Sequence, residues 1–105
     1  MWNVDTVKDT VSKHKLVCFA KGSRQQPMCG FSARAIQILE QLEKPFEVVN
    51  IFDDPSIRPA LVEASNWPTT PQVFLNGELL GGSDILLEMY QSGDLQKQVE
   101  SAFAG

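Results

Sequence analysis

One cysteine carries most of the chemistry open to this sequence. Cys29 lies in the stretch Lys21–Ser32, KGSRQQPMCGFS, between a compact apolar run, Lys15–Ala20, and a long helical pattern, Phe31–Glu43. A thiol placed where a strand ends, a loop turns and a helix begins meets unpaired N–H groups and a partial positive charge. That setting favours the thiolate and lowers a cysteine pKa from its free value of roughly 8.5. Lys21, at the end of the apolar run, adds a second positive charge near the same spot. Gly30 is expected to let the backbone turn tightly and come close to a ligand. The product is a reactive, metal-capable thiolate; the competing description is a small buried hydrophobe, the usual state of a free cysteine. That second description fits Cys18, which lies inside the apolar run.

The elements that must hold this stretch follow from periodicity. Val4, Val7 and Val11 recur at helical spacing and predict a short amphipathic helix over Asp5–Lys13. Leu16–Ala20 shows no alternation, which suggests a central strand covered on both faces. The next helix gathers Phe31, Ala35, Ile38, Leu39 and Leu42 on one stripe, with Arg34, Gln37, Gln41 and Lys44 opposite, and is expected to run to Glu43, ahead of Pro45. Phe46–Asn50 reads as a second, parallel strand, completing a right-handed βαβ unit. Asp53-Asp54-Pro55 is a helix-start pattern, with Ile57, Leu61 and Ala64 on the apolar side. A rigid loop with two prolines, Asn66–Pro71, leads to a hairpin whose turn is Asn76-Gly77. Ser83 is expected to cap a helix over Asp84–Gln91, and Gly93 to stop it. A last helix carries Leu95, Val99 and Phe103.

The order α-βαβ-α-ββ-α-α predicts an α/β chain of the thioredoxin-like kind: a four-stranded mixed sheet flanked by helices, with an N-terminal helix. Ligands on such sheets gather at the carboxyl ends of the parallel strands. Lys21, Cys29 and the loop leading into the hairpin therefore fall around one site.

Bulk properties narrow the function. A length of 105 residues fits one domain. The net charge of -4, without a basic run, argues against nucleic acid. No run of about 18 apolar residues suggests a membrane span. Two cysteines cannot form a disulfide framework, which points to a reducing compartment: a bacterial cytoplasm, or the mature form of an organellar protein. The first ten residues lack the charged and apolar regions of a signal peptide.

Cys29-Gly30-Phe31-Ser32 resembles the CGFS motif of the monothiol glutaredoxins. Lys21-Gly22, Ile57-Arg58, Trp67-Pro68-Thr69, Pro71-Gln72, Gly81-Gly82 and Asp84-Ile85 match that family in order and spacing, across about Lys15–Tyr90. The resemblance implies a single glutaredoxin domain over residues 1–105, with glutathione as ligand. It implies that Lys21 pairs with the glycine carboxylate of glutathione and that Arg58 serves the same end. Thr70, before Pro71 in a cis peptide bond, would offer its backbone to the tripeptide's cysteine. Ser83 and Asp84 would hold the γ-glutamyl end. Three positions depart from the family pattern. Ser83 stands where many members carry cysteine, Thr70 where an apolar residue is common, and Ser23–Gln26 is more polar than usual.

Ser32 occupies the second-cysteine position of a Cys-x-x-Cys pair, and a hydroxyl cannot resolve a mixed disulfide. Two functions remain open. In one, Cys29 of each of two chains and two glutathiones hold a [2Fe–2S] cluster in a two-fold dimer, for transfer to acceptor proteins. The family also suggests a BolA-like protein as a partner. In the other, Cys29 catalyses glutathione-dependent reduction of protein–glutathione mixed disulfides. A protein-binding module without a ligand is the third possibility.

Overall fold

The strand β1 (Leu16–Ala20) is the axis of the molecule: each of its five residues is 0% exposed. In the computed structural model, which describes residues 1–104, it pairs in parallel with β2 (Glu47–Asn50) and antiparallel with β3 (Gln72–Leu75). β4 (Glu78–Gly81) completes a mixed sheet of order β2-β1-β3-β4. Successive β1 side chains alternate between two cores. Leu16, Cys18 and Ala20 face α2 (Gly30–Gln41), α4 (Ser83–Ser92) and α5 (Asp94–Ala104). Val17 and Phe19 face α1 (Val4–Lys13) and α3 (Ile57–Ser65). The lack of alternation in the sequence thus has a simple cause: both faces of this strand are covered. The predicted thioredoxin-like architecture and element order are those observed.

Local chemistry accounts for most of the element ends. Asn3 caps α1 through a reciprocal pair: its Oδ1 accepts from the Thr6 N–H at 3.0 Å, and Thr6 Oγ1 accepts from the Asn3 N–H at 3.3 Å. Asn76 and Gly77 have φ of 54° and 85°, as a type I′ turn requires. Gly93 ends α4 in the left-handed region, at φ 85°.

Several local details differ from expectation. α2 stops at Gln41, because Glu43 adopts φ 57° and the chain turns before Pro45 is reached. α3 begins at Ile57 rather than at Asp53–Pro55. Asp54 Oδ1 accepts from both the Ser56 N–H (2.9 Å) and the Ser56 hydroxyl (2.7 Å), so its oxygen closes a local turn instead of starting the helix. Ser83 is the first residue of α4, not its cap; Gly82 holds the cap position and no side chain caps the helix. Gly30 lacks a positive φ, and a Cβ there would meet nothing within 4 Å. The tight turn of the Lys21–Ser32 segment falls instead at Gly22, with φ of 103°.

These two glycines make opposite predictions. A Cβ on Gly22 would lie 2.5 Å from the Met28 backbone nitrogen. Gly22→Ala should therefore cost about 1–3 kcal/mol, read as a lower urea midpoint. Gly30→Ala should leave that midpoint within about 0.5 kcal/mol of wild type, since alanine also suits the first turn of a helix better.

Candidate functional site

Cys29 occupies the N-cap of α2 with extended backbone (φ -152°, ψ 141°) and is half-buried. Its thiol pKa is lowered. The largest cause is the backbone N–H of Ser32; the Phe31 N–H, the Ser32 hydroxyl and the charge of Lys21 add to it, against partial desolvation. Cys18 is the reverse case: burial pushes its thiol up to about 12.

A network of hydrogen bonds fixes this cysteine relative to the sheet. Ser32 is fully buried, and its hydroxyl accepts from the Lys21 N–H at 3.0 Å, joining the end of β1 to the first turn of α2. The Met28 N–H donates to the Lys21 carbonyl at 2.8 Å, and the Gly22 N–H to Asn50 Oδ1 at 3.1 Å. Arg24, in the unusually polar part of the loop, lays its guanidinium 3.9 Å from the Phe46 ring centroid and donates to Glu40 at 3.4 Å. The polar loop residues thus anchor the loop to α2 and the start of β2.

Beside this loop lies a cavity of about 500 Å³. Lys21, Arg58, Thr70, Pro71, Ser83 and Asp84 all line it, so the structure brings together every candidate binding residue named from the sequence. Cys29 does not line it, but Phe31, two residues on, does. Lys21 and Arg58 supply the cations, and Arg58 also donates to the Pro68 carbonyl at 3.2 Å. The Thr70–Pro71 peptide bond is cis. Two cavity hydroxyls, those of Thr70 and Ser83, are buried without a hydrogen-bond partner. Backbone N–H groups at the start of α4 and the Asp84 carboxylate, 85% exposed, provide the remaining polar surface.

The structure also reveals residues that sequence reasoning missed. Phe31 was expected on the buried stripe of α2, yet it is 57% exposed. Ser32 and Ile36 are the buried side chains of that part of α2, while Phe31 lines the cavity. Met28, 67% exposed, and Phe31 thus place exposed apolar side chains on either side of Cys29 in the chain. Trp67 and Ile85 line the cavity as well. Gln72 is fully buried and its amide donates to the carbonyls of Trp67 (2.9 Å) and Thr69 (3.0 Å), shaping the cavity's loop from behind. Trp67 and Gln72 both stand in the short family matches, Trp67-Pro68-Thr69 and Pro71-Gln72, which marked the positions without assigning either side chain a role.

The donor set bears on metal chemistry. Among the described residues, no group of three or more His, Cys, Asp or Glu is arranged to hold a metal ion. One chain offers one half-buried thiol of lowered pKa, so any cluster held here needs ligands from outside the chain.

A glutaredoxin family model matches residues 16–80. The chain is 50% identical over 98 residues to a chloroplastic monothiol glutaredoxin of Arabidopsis thaliana, covering 93% of this chain and 57% of that protein's length. It is 47% identical over 98 residues to an uncharacterized monothiol glutaredoxin of Synechocystis sp., covering 93% and 92%. The solution structure of a poplar glutaredoxin in its reduced apo form superposes with a TM-score of 0.83 at 48% identity, over 96% of this chain and 93% of that one. Among the described residues, no helix is long and apolar enough to cross a membrane.

The thiol's surroundings set a pH profile. A lowered pKa keeps Cys29 as thiolate further toward acid, so its alkylation by iodoacetamide should reach half-maximum rate at a lower pH than that of an unperturbed cysteine. Ser32→Ala should move that midpoint upward, and Lys21→Gln should move it upward by less, following the order of their influence. Cys18 should react only after denaturation.

Proposed function

Because the chain belongs to the glutaredoxin family, among its monothiol members, we propose that it binds glutathione and uses it to carry a [2Fe–2S] cluster between two subunits. The observation that carries this reading is one thiol of lowered pKa, Cys29, beside a cavity lined by the cations Lys21 and Arg58 and by Ser83 and Asp84 at the start of α4. No second thiol is available to it: Ser32 holds the neighbouring position and Cys18 is sealed in the core. A thiol must lose its proton to bind metal, and the helix start lowers the cost of that loss at neutral pH.

On this reading Lys21 and Arg58 hold the glycine carboxylate of glutathione. The Thr70 backbone, before Pro71, aligns the tripeptide's cysteine, and Ser83 with Asp84 takes the γ-glutamyl end. The tripeptide's thiolate then lies beside that of Cys29, which gives each chain two sulfur ligands. Two chains related by a two-fold axis supply four, enough for the cluster. The cluster is cargo, held partly by a diffusible ligand at an exposed face, and suits transfer to acceptor proteins or to a mixed dimer with a BolA-like partner. One glutaredoxin domain, working in a reducing compartment, carries all of this.

Anaerobic reconstitution with iron, sulfide and glutathione tests the proposal through visible absorption and sedimentation. The cluster-loaded protein should be a dimer and the apo protein mainly a monomer. Cys29→Ser should abolish assembly, whereas Cys18→Ser should keep it at some cost in stability. An apo dimer equally tight through the same face would overturn the bridged arrangement. Turnover of a glutathionylated peptide without any cluster would favour the oxidoreductase function instead. In that reaction Cys29 thiolate attacks the glutathione sulfur and releases the peptide thiolate. A second glutathione then frees Cys29 as oxidised glutathione forms.

Charge reversal tests the ligand contacts. Lys21→Glu should weaken glutathione-dependent assembly by about tenfold or more while leaving the fold intact, because Lys21 lies beyond the strand's last residue. Asp84→Lys should act similarly from the other end. Assembly with dithiothreitol, a thiol without those charges, should not respond to either change. Equal assembly of Lys21→Glu and wild type with glutathione would remove Lys21 from the binding set.

A further inference from the structure

Arg34 lies on the face of α2 that periodicity assigns to solvent, yet its guanidinium reaches across to the start of α4. Its Nη1 stands 3.7 Å from Asp84 Oδ1. The contact is loose: 3.7 Å exceeds a good hydrogen bond, and the two side chains are 48% and 85% exposed. As a stabilising ion pair it counts for little. Its arrangement is more informative. Arg34 makes no shorter polar contact among the described residues, and it lines a separate depression between α2 and α4 while its partner Asp84 lines the cavity. A cation and an anion therefore sit side by side at one end of the site. Next to them are the first-turn N–H groups of α4 and the buried, partnerless hydroxyl of Ser83.

This pair complements a free amino-acid end, which bears an ammonium and a carboxylate on one carbon. Asp84 alone attracts the ammonium but repels the carboxylate beside it. A guanidinium within a few ångströms removes that repulsion and offers paired N–H donors in the geometry a carboxylate prefers. Because the Arg34–Asp84 contact is long and solvated, exchanging it for two short contacts with a ligand costs little. We propose that Arg34 is a specificity-determining residue of the site: it holds the α-carboxylate of the ligand's γ-glutamyl residue while Asp84 holds the ammonium. The inference rests on the glutathione reading above. It adds that the site selects ligands whose amino-acid end is free and zwitterionic.

The test compares two ligands by calorimetry on the apo protein under reducing, anaerobic conditions: glutathione, and the analogue whose glutamyl α-carboxylate is replaced by a carboxamide. Wild type should prefer glutathione by about tenfold. Arg34→Gln should weaken glutathione by about three- to tenfold, leave the carboxamide nearly unaffected, and so collapse the preference. Arg34→Lys, which keeps charge but loses the fork, should retain part of it. Raising the salt should shrink the wild-type preference more than that of Arg34→Gln. The proposal is overturned if Arg34→Gln discriminates as well as wild type, or weakens both ligands equally, as a purely structural residue would. It is also overturned if Arg34→Gln tightens glutathione, which would mean that Arg34 competes for Asp84. Wild type binding neither ligand would defeat the glutathione reading itself, a result distinct from binding without discrimination.

Discussion

Five consecutive residues of β1 have no contact with solvent, and this burial on both faces determines where the chemistry can be. A strand sealed above and below can release the chain only at its ends. At its carboxyl end the chain emerges at Lys21, and the Ala20 carbonyl is already occupied by the Ile51 N–H at 3.0 Å. The next helix must cover the sheet from above, so its N-terminus has to return to the same end. The Lys21 N–H to Ser32 hydroxyl bond closes that return. Cys29 is the residue caught between the emerging strand and the returning helix, and its acidity follows from that position more than from any single neighbouring charge.

Ser32 has two consequences at once. Its hydroxyl is a buried structural tie, and its identity denies Cys29 a resolving thiol. A cysteine in its place would offer a weaker hydrogen-bond acceptor to the Lys21 N–H. The same atom that stabilises the strand-to-helix junction thus restricts the chemistry to a single sulfur.

The electrostatics of the site run against the chain as a whole. The protein carries a net charge of -4, while the cavity is lined by Lys21 and Arg58 as well as Asp84, which has Arg34 3.7 Å away. Such a layout attracts a small molecule with separated charges rather than a polyanion. Four exposed apolar side chains, Met28, Phe31, Trp67 and Ile85, lie on the cavity or beside Cys29. They give this face a surface on which a second protein could settle once a ligand fills the polar groove.

Sequence by itself determined the features that local physics controls. The unbroken apolar run predicted a strand covered on both sides, Asn76-Gly77 predicted the hairpin, and Cys29 before a helical pattern predicted an acidic thiol. The family resemblance carried by scattered short matches picked out six binding candidates that prove to line one cavity. Tertiary structure decided what depends on where the core ends and on partners distant in the chain. Periodicity shows that Phe31 shares a face with Ala35, but not that Phe31 lines an open cavity and stays in solvent. It places Arg34 on an outward face without showing that α4 brings Asp84 alongside, fifty positions later. Gln72 looked like the start of a strand, and only its neighbours reveal it as the support of the Trp67–Thr69 loop. Asp54 spent its oxygen on Ser56, and so the third helix began later than its acidic residues announced. In each case the deciding contact joins groups whose proximity is a property of the packed molecule and leaves no periodic trace in the chain.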